Sequence, residues 1–385
     1  MSRTPKVILM VEPLGEYVQG LLRGIVKYAN THGPWVFYRE PGKHEGLLPQ
    51  LNCQEADGII ARIINPRKSE SDIPKNVPTI IIPHKKEPLS LPTIVGDCPA
   101  IGKMAAKYFL GKGFRNFAFC GFDEMQWSRD RAKSFAETIA AAGFKTYFYD
   151  QIKLKGGRLW ESEHFVIAEW LKSLPKPLAL FACNDDRGQH VIEACNTVNL
   201  NVPKDVAVLG VDNDEFVCGL SNPPLSSIAM GSRKGGYEAA RLLDNLMKGD
   251  KMTNQKIMVR PNYVVTRQST DILAIQDHEV AEAIRFIQKH AKDNIQVSDV
   301  ANALTLSRRH LERRFRKAMN CSINDQIRRV RTEQISHMLL ETDLSILQIA
   351  LATGYRDVKH IARYFKQETN MTPLAYRSKL GQLPK

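Results

Sequence analysis

Nine cations crowd the stretch between Ser307 and Arg331: Arg308, Arg309, Arg313, Arg314, Arg316, Lys317, Arg328, Arg329 and Arg331. Only Glu312 and Asp325 oppose them. At helical spacing, Leu311 and Phe315 share an inward stripe, and Arg309, Glu312, Arg313 and Arg316 project outward. A guanidinium fork matches the O6/N7 edge of guanine in a major groove, so arginines at this spacing can read bases. Others in the cluster would hold phosphates, which gives affinity without sequence information. A solvated helix face has the same composition, and charge alone does not separate the two.

A second stretch repeats the grammar. Ser345 is placed to cap a helix with Ile346, Ile349 and Ala350 on its apolar face. Gly354 permits a tight turn. A further helix follows with Ile361 and Phe365 inward and Arg356, Lys359, Arg363 and Lys366 on the other side. Val300-Ala301 recurs as Ile349-Ala350, and Arg313-x-Phe315-Arg316 recurs as Arg363-x-Phe365-Lys366, an offset of 49 to 50 residues. Two helix-turn-helix units are expected, the first with Ser307 capping its second helix.

The elements that must carry these helices follow from the rest of the chain. Its 385 residues suggest two or three domains. The net charge is +13, and residues 276–385 hold 19 Lys and Arg against 12 Asp and Glu. That asymmetry suits a polyphosphate partner. Apolar runs at 7–11, 35–38, 58–61, 79–82, 116–120, 146–149, 178–182 and 206–211 alternate with amphipathic stretches such as 17–29, 100–110 and 131–142. This is the pattern of a parallel α/β fold. Gly111, Gly113 and Gly143 are candidate helix stops. Strand signals end near residue 265, and the chain reads as helix from Glu279 onward. The expected division is an α/β unit over 1–271 and an all-α unit over 279–385.

The seven cysteines (Cys53, Cys98, Cys120, Cys183, Cys195, Cys218, Cys321) are scattered and form no CxxC pair. A reducing compartment is expected, with neither a disulfide framework nor a zinc site. No apolar run is long enough to span a membrane, and the N-terminus lacks a signal-peptide core. A cytoplasmic protein is expected, without cofactor or metal.

The stretch Thr342-Asp-Leu-Ser-Ile-Leu-Gln-Ile-Ala-Leu-Ala-Thr-Gly-Tyr355, followed by Tyr364-Phe-Lys366 and Met371-Thr-Pro-Leu-Ala-Tyr-Arg377, resembles the signature of AraC-type regulators. Ser307-x-x-His-Leu-x-Arg-x-Phe-Arg-Lys317 resembles that family's other motif. The resemblance implies base contacts at Arg309, Glu312 and Arg313 in the first unit and at Val358, Lys359 and Arg363 in the second. Asn320 stands where the family usually has glycine, and Gln326 where it has an aromatic. Val358 cannot hydrogen-bond a base.

Residues 6–271 resemble LacI/periplasmic-binding-protein-like sensors. The resemblance rests on Val95-Gly-Asp-Cys-Pro-Ala-Ile-Gly102, Gly113-Phe-Arg-Asn-Phe-Ala-Phe-Cys-Gly121, Ala182-Cys-Asn-Asp-Asp186, Val206-Ala-Val-Leu-Gly-Val-Asp-Asn213 and Arg267-Gln-Ser-Thr-Asp271. It implies two doubly wound lobes with a ligand cleft between them. Carried over by position, ligand contacts fall on Asp97, Arg131, Asn184, Asp185 and Asp212, with Trp127 and Tyr17 as candidate rings. Carboxylate, amide and guanidinium groups bind adjacent sugar hydroxyls in pairs, and an aromatic ring packs on the sugar's C–H face. Asp97 or Asp185 could equally cap a helix.

Sensors of this family normally follow an N-terminal DNA-binding segment; here the first strand starts near Lys6, and the reader comes last. That order, with the Trp127…Arg131 spacing and the closing Arg-x-Ser-Thr-Asp run, resembles regulators of xylose operons. It implies D-xylose or a related aldopentose as effector; the helix-turn-helix units make a double-stranded DNA operator the expected partner, and paired operator half-sites a homodimer. A transport sugar-binding protein would explain the first 270 residues but not the basic helical end. An enzyme is disfavoured, because GxxxxGK[ST], HExxH and GxSxG are all missing.

Overall fold

The computed structural model describes residues 3–11, 15–39, 56–63, 76–83, 91–150, 160–251 and 255–380. Cys53 lies outside them.

Among the described residues, two six-stranded sheets build the first part. The first sheet holds β1 (Lys6–Met10), β2 (Val36–Tyr38), β3 (Gly58–Ile63), β4 (Thr79–Pro83), β5 (Thr93–Gly96) and β11 (Lys256–Val259), all paired in parallel in the order β11-β5-β4-β3-β1-β2. The second holds β6 (Asn116–Cys120), β7 (Thr146–Phe148), β8 (Leu178–Ala182), β9 (Val206–Asp212), β10 (Ser226–Met230) and β12 (Pro261–Val265). Its order is β12-β10-β9-β8-β6-β7, and only β12 runs antiparallel. Every residue of β8 and β10 is buried, as expected for strands covered on both faces by helices.

The chain passes between the lobes three times, at Asp97, Gly231 and Arg260. These crossings are tied together: Asp97 N donates to Val259 O at 2.8 Å, and Gly231 N donates to Arg260 O at 2.9 Å.

Helices α1 (Gly15–His32) and α7 (Ser232–Met247) pack together beside the first sheet. Helices α2 (Cys98–Gly111), α3 (Gln126–Ala141), α4 (Trp160–Ser173), α5 (Asp185–Thr197) and α6 (Glu215–Leu220) belong with the second. Gly113 and Gly143 follow helix ends at φ +82° and +86°, whereas Gly111 is the last helical residue of α2. Sequence patterning missed β5, β10, β11 and β12. Serines in β10, a lysine in β11 and a proline and asparagine in β12 break the apolar runs by which the other strands were found, and β5 offers only Ile94 and Val95 between Thr93 and Gly96.

Seven helices follow among the described residues: α8 (His278–Lys289), α9 (Val297–Ala303), α10 (Arg308–Met319), α11 (Ile323–Glu341), α12 (Ile346–Ala352), α13 (Val358–Thr369) and α14 (Pro373–Leu380). They form two small cores. Val280, Ile284, Val300, Leu311 and Phe315 fill the first; Ile349, Ala350, Ile361 and Phe365 fill the second. Helix α11 serves both, giving Ile323 and Ile327 to one and Ile335, Met338 and Leu339 to the other.

The six described cysteines are free; five are buried and Cys321 is half-buried. Burial pushes the thiols of Cys98, Cys120, Cys183, Cys195, Cys218 and Cys321 above the usual range, which makes them poor nucleophiles. Among the described residues, no cluster of His, Cys, Asp and Glu could hold a metal ion. No described helix is long and apolar enough to cross a membrane.

Candidate functional site

The candidate ligand residues cluster at the carboxyl ends of the strands, where open α/β sheets present their crevices. Asp97 follows β5, Asn184 and Asp185 follow β8, and Asp212 ends β9. Arg131 lies on α3 and is 5% exposed. It holds a central position: Nη1 donates to Cys183 O, Nη2 lies 3.9 Å from Asp212 Oδ1, and the guanidinium carbon stands 4.9 Å from the centroid of the Trp127 ring. Phe122 meets Trp127 edge to face, with centroids 6.3 Å apart.

The pair is only half satisfied. Arg131 Nε and Asp212 Oδ1 are buried without a hydrogen-bond partner, and a bound molecule is one source of such partners. Burial raises the Asp212 carboxyl above the usual range, against the pull of Arg131. Its backbone is also forced, with φ +105°, and Asn213 follows at +54°. Such conformations concentrate at ligand sites, where the surroundings over-determine them. Tyr17 reaches the same place from α1. Its hydroxyl is pushed well above the usual range, first by burial and then by Asp212, while Arg131 pulls it down.

The other three candidates make hydrogen bonds in helix caps and turns. Asp97 caps α2, its Oδ1 accepting from Ala100 N at 3.1 Å. Asn184 caps α5, accepting from Arg187 N at 3.0 Å, and donates to Asp186 Oδ2 at 3.0 Å. Asp185 is 3% exposed. It accepts from Ser227 Oγ at 2.5 Å and from Asp214 N at 2.7 Å. Burial and then the Asp212 charge raise its carboxyl well above the usual range. In this geometry Asp185 braces the turn that displays Asp212.

Sequence reasoning missed the other braces. Asn213 N donates to Ser227 Oγ at 3.0 Å, and Arg267 Nη2 donates to Asn213 Oδ1 at 2.9 Å. Asp214 caps α6 and accepts from Glu16 N, across the lobes, at 3.2 Å. The Arg-x-Ser-Thr-Asp run was visible as a motif, but the partners of Arg267 are 41 to 54 residues away and that of Thr270 on α2 is 162 away, beyond any local pattern.

In the helical part the caps match expectation. Ser307 Oγ accepts from His310 N at 3.3 Å, and Ser345 Oγ accepts from Gln348 N at 3.2 Å. Gly354 sits at φ +75°, and a Cβ there would lie 3.3 Å from Asn294 N. Arg308, Arg309, Arg313 and Arg316 on α10 are exposed, as are Lys359 and Arg363 on α13. Arg356, also exposed, precedes α13 and belongs to the turn. Glu312 is half-buried and lies 3.8 Å from Arg316.

The dense basic stretch divides once folded. Arg314 grips Asp277 with Nε and Nη2, each at 2.8 Å, and pairs with Glu279. Arg328 pairs with Glu368, its Nε at 2.9 Å. Arg331 is 7% exposed. It donates to Asn294 Oδ1 and Thr353 O, both at 2.7 Å, and covers the Tyr355 ring at 4.3 Å. Arg329 donates to Gly111 O in the second lobe at 3.1 Å. The solvent-facing cations of the stretch therefore concentrate on α10.

Two family models match the chain: a periplasmic binding protein-like domain over residues 106–270 and a helix-turn-helix domain over residues 300–379. The xylose operon regulatory protein of Haemophilus influenzae is 31% identical over 377 residues, covering 96% of this chain and 94% of that protein. The chain belongs to the family of xylose operon regulatory proteins. The Escherichia coli K12 member is 29% identical, with 96% of this chain and 93% of that protein covered. A solved structure of the xylose-binding transcription activator xylR aligns with 99% of this chain and 100% of its own, at TM-score 0.62 and 27% identity. A complex of the regulator CelR with cellobiose shares the fold over 69% of this chain and 85% of its own, at TM-score 0.57 and 22% identity. Family membership makes this chain a sugar-sensing, DNA-binding transcriptional regulator.

Proposed function

We propose that D-xylose or a closely related aldopentose is the effector, and that it is held by Arg131, Asp212, Trp127 and Tyr17. The half-satisfied Arg131–Asp212 pair beside an aromatic ring carries this reading. Adjacent sugar hydroxyls each offer a donor and an acceptor, so one pentose can complete both groups while its C–H face lies on Trp127. Asp97, Asn184 and Asp185 brace the site as helix caps and turn partners. Residues 1–271 are the sensing unit in this reading, and residues 279–385 the DNA reader.

The reader engages a double-stranded operator through α10 and α13. Arg309 and Arg313 take the base edges, helped by Glu312; Arg308, Arg316, Arg356, Lys359 and Arg363 add groove and phosphate contacts. The protein acts in the cytoplasm as a homodimer on paired half-sites and catalyses no reaction of its own. A ligand shifts the regulatory equilibrium only by binding one state more tightly than the other.

A thermal-shift screen of pentoses and hexoses tests the effector. A ligand that binds only the folded state raises the melting temperature, by about 2.7 kcal/mol of added stability at a hundredfold excess over Kd. A rise with D-xylose that is lost in Arg131→Met supports the assignment. No rise with any aldopentose removes it.

A further inference from the structure

Between the last strand and the first reader helix, residues 267–277 form a connection that opens with a 3-10 turn at Gln268–Thr270 and then runs without regular structure to Asp277. At one end, the Arg267 guanidinium donates to Asn213 Oδ1 at 2.9 Å and to Leu225 O at 3.0 Å. Asn213 is the neighbour of Asp212, so this anchor sits under the effector turn. The Arg267 backbone is clamped as well: its N donates to Ser226 Oγ at 2.8 Å, and its carbonyl accepts from the same hydroxyl at 2.9 Å. Ser269 Oγ donates to Val208 O at 2.6 Å, and Thr270 Oγ1 lies 2.7 Å from Tyr108 OH on α2.

The middle of the connection alternates between the two cores. Ile272 and Ala274 pack against the sensor core, while Leu273 and Ile275 pack against the first reader core. Ala274 N donates to Lys112 O at 2.9 Å. Ile275 lies so close to Gly113 that any Cβ there would collide with it.

At the other end, Asp277 caps α8 through Val280 N at 3.3 Å and takes the bidentate grip of Arg314. Arg314 belongs to α10, the helix whose outer face carries Arg309 and Arg313. Arg115 of the second lobe adds a bond to the end of the same helix, its Nη2 donating to Ala318 O at 3.1 Å.

We propose that residues 267–277 are a coupling strap, with Arg267 the positioning residue beneath the effector turn and Asp277 the positioning residue behind the first recognition helix. Movement of the Asp212–Asp214 turn on sugar binding pulls on Arg267, and the strap passes that movement to α10 through the Asp277–Arg314 fork. The strap deepens the effector reading above and rests on it.

The test uses the full-length protein, D-xylose, and a DNA fragment selected from a random pool by the wild-type protein. The variant is Asp277→Asn. Asparagine caps helices as well as aspartate does, so α8 keeps its start while the charged fork is lost. Sugar Kd is measured by calorimetry, and DNA Kd is measured with and without sugar. Allosteric coupling between such sites is typically about 5- to 150-fold. D277N is expected to keep the wild-type sugar Kd while its sugar-dependent change in DNA affinity falls to about twofold or less. Asn213→Gly, which keeps the left-handed backbone but removes the acceptor of Arg267, is expected to show the same fall. If folded D277N and N213G keep the full wild-type response, the strap is overturned and the effector reading stands. If the wild-type protein gives no DNA response to any aldopentose, the effector reading falls, and the strap falls with it.

Discussion

Asn320 and Asn370 stand fifty residues apart and close the two recognition helices in the same left-handed conformation, at φ 55° and 58°. Each donates its backbone N–H to a carbonyl four residues back, Arg316 O at 2.9 Å and Lys366 O at 2.8 Å. Asn320 fills a place where the sequence departs from the usual glycine, and the reason is visible: after glycine, asparagine visits this region most readily. Asn320→Gly is expected to leave the melting temperature almost unchanged. Asn320→Ala or Asn370→Ala is expected to cost about 1–2 kcal/mol. Equal melting curves for the alanine and glycine variants would contradict the cap reading.

The Arg331 guanidinium ties Asn294, ahead of the first helix-turn-helix, to Thr353, in the turn of the second. Arg331→Met keeps much of the side-chain volume and leaves a buried carbonyl unpaired, a cost of about 1–3 kcal/mol. The expected result is weakened binding to a two-site operator with little change in sugar Kd. Unchanged operator affinity in gel-shift titrations would show that the two readers do not depend on this tie.

Base and phosphate contacts separate by how the loss depends on sequence. Arg313→Ala is expected to relax preference at one or two operator positions, worth about 1–3 kcal/mol of discrimination. Arg308→Ala is expected to weaken binding evenly across sequences and to reduce the salt slope by about one. A uniform loss from R313A would assign Arg313 to phosphate instead.

Acid should act on the two parts in opposite directions. Hydrogen bonds hold three reader carboxyls below the usual range: Asp277 through Arg314, Asp325 through Ser322, and Asp357 through the His360 backbone. Their contribution is present above the unfolded aspartate value of about 3.9 and is lost as pH falls through the depressed folded values. Asp185 and Asp212 are raised by burial. Their contribution is present below the unfolded value and is lost as pH rises through the raised folded values. Calorimetric scans from pH 7 to pH 3 are therefore expected to show the reader losing stability relative to the sensor. A triple Asp277→Asn, Asp325→Asn, Asp357→Asn variant with the same acid profile as wild type would rule out these caps as the cause.

Local pattern was enough for much of the architecture. Apolar runs located eight strands because their residues are mostly apolar, even at the partly exposed edges β2 and β7, whereas the wholly buried β10 was missed because it opens with two serines. Ser307, Ser345 and Gly354 declared both helix-turn-helix units, since caps and tight turns depend on residue chemistry within four positions. The 49-to-50 step in the repeat also has a local cause. Thr305 and Gly354 both take positive φ, 49 residues apart, but the caps Ser307 and Asp357 are 50 apart, so the second turn holds one more residue. Arginine density named the reader but not its working face, because Arg314, Arg328, Arg329 and Arg331 look like Arg309 and Arg313 until their distant partners arrive.

The candidate effector site divides in the same way. Sequence placed Tyr17, Asp97, Trp127, Arg131, Asn184, Asp185 and Asp212 together by resemblance. Tertiary structure decided which side chains keep unsatisfied groups and which are consumed as caps and braces. That decision depends on atoms within about 3 Å that come from strands and helices far apart in the chain, a distance scale on which hydrogen bonds form and sequence spacing carries no information.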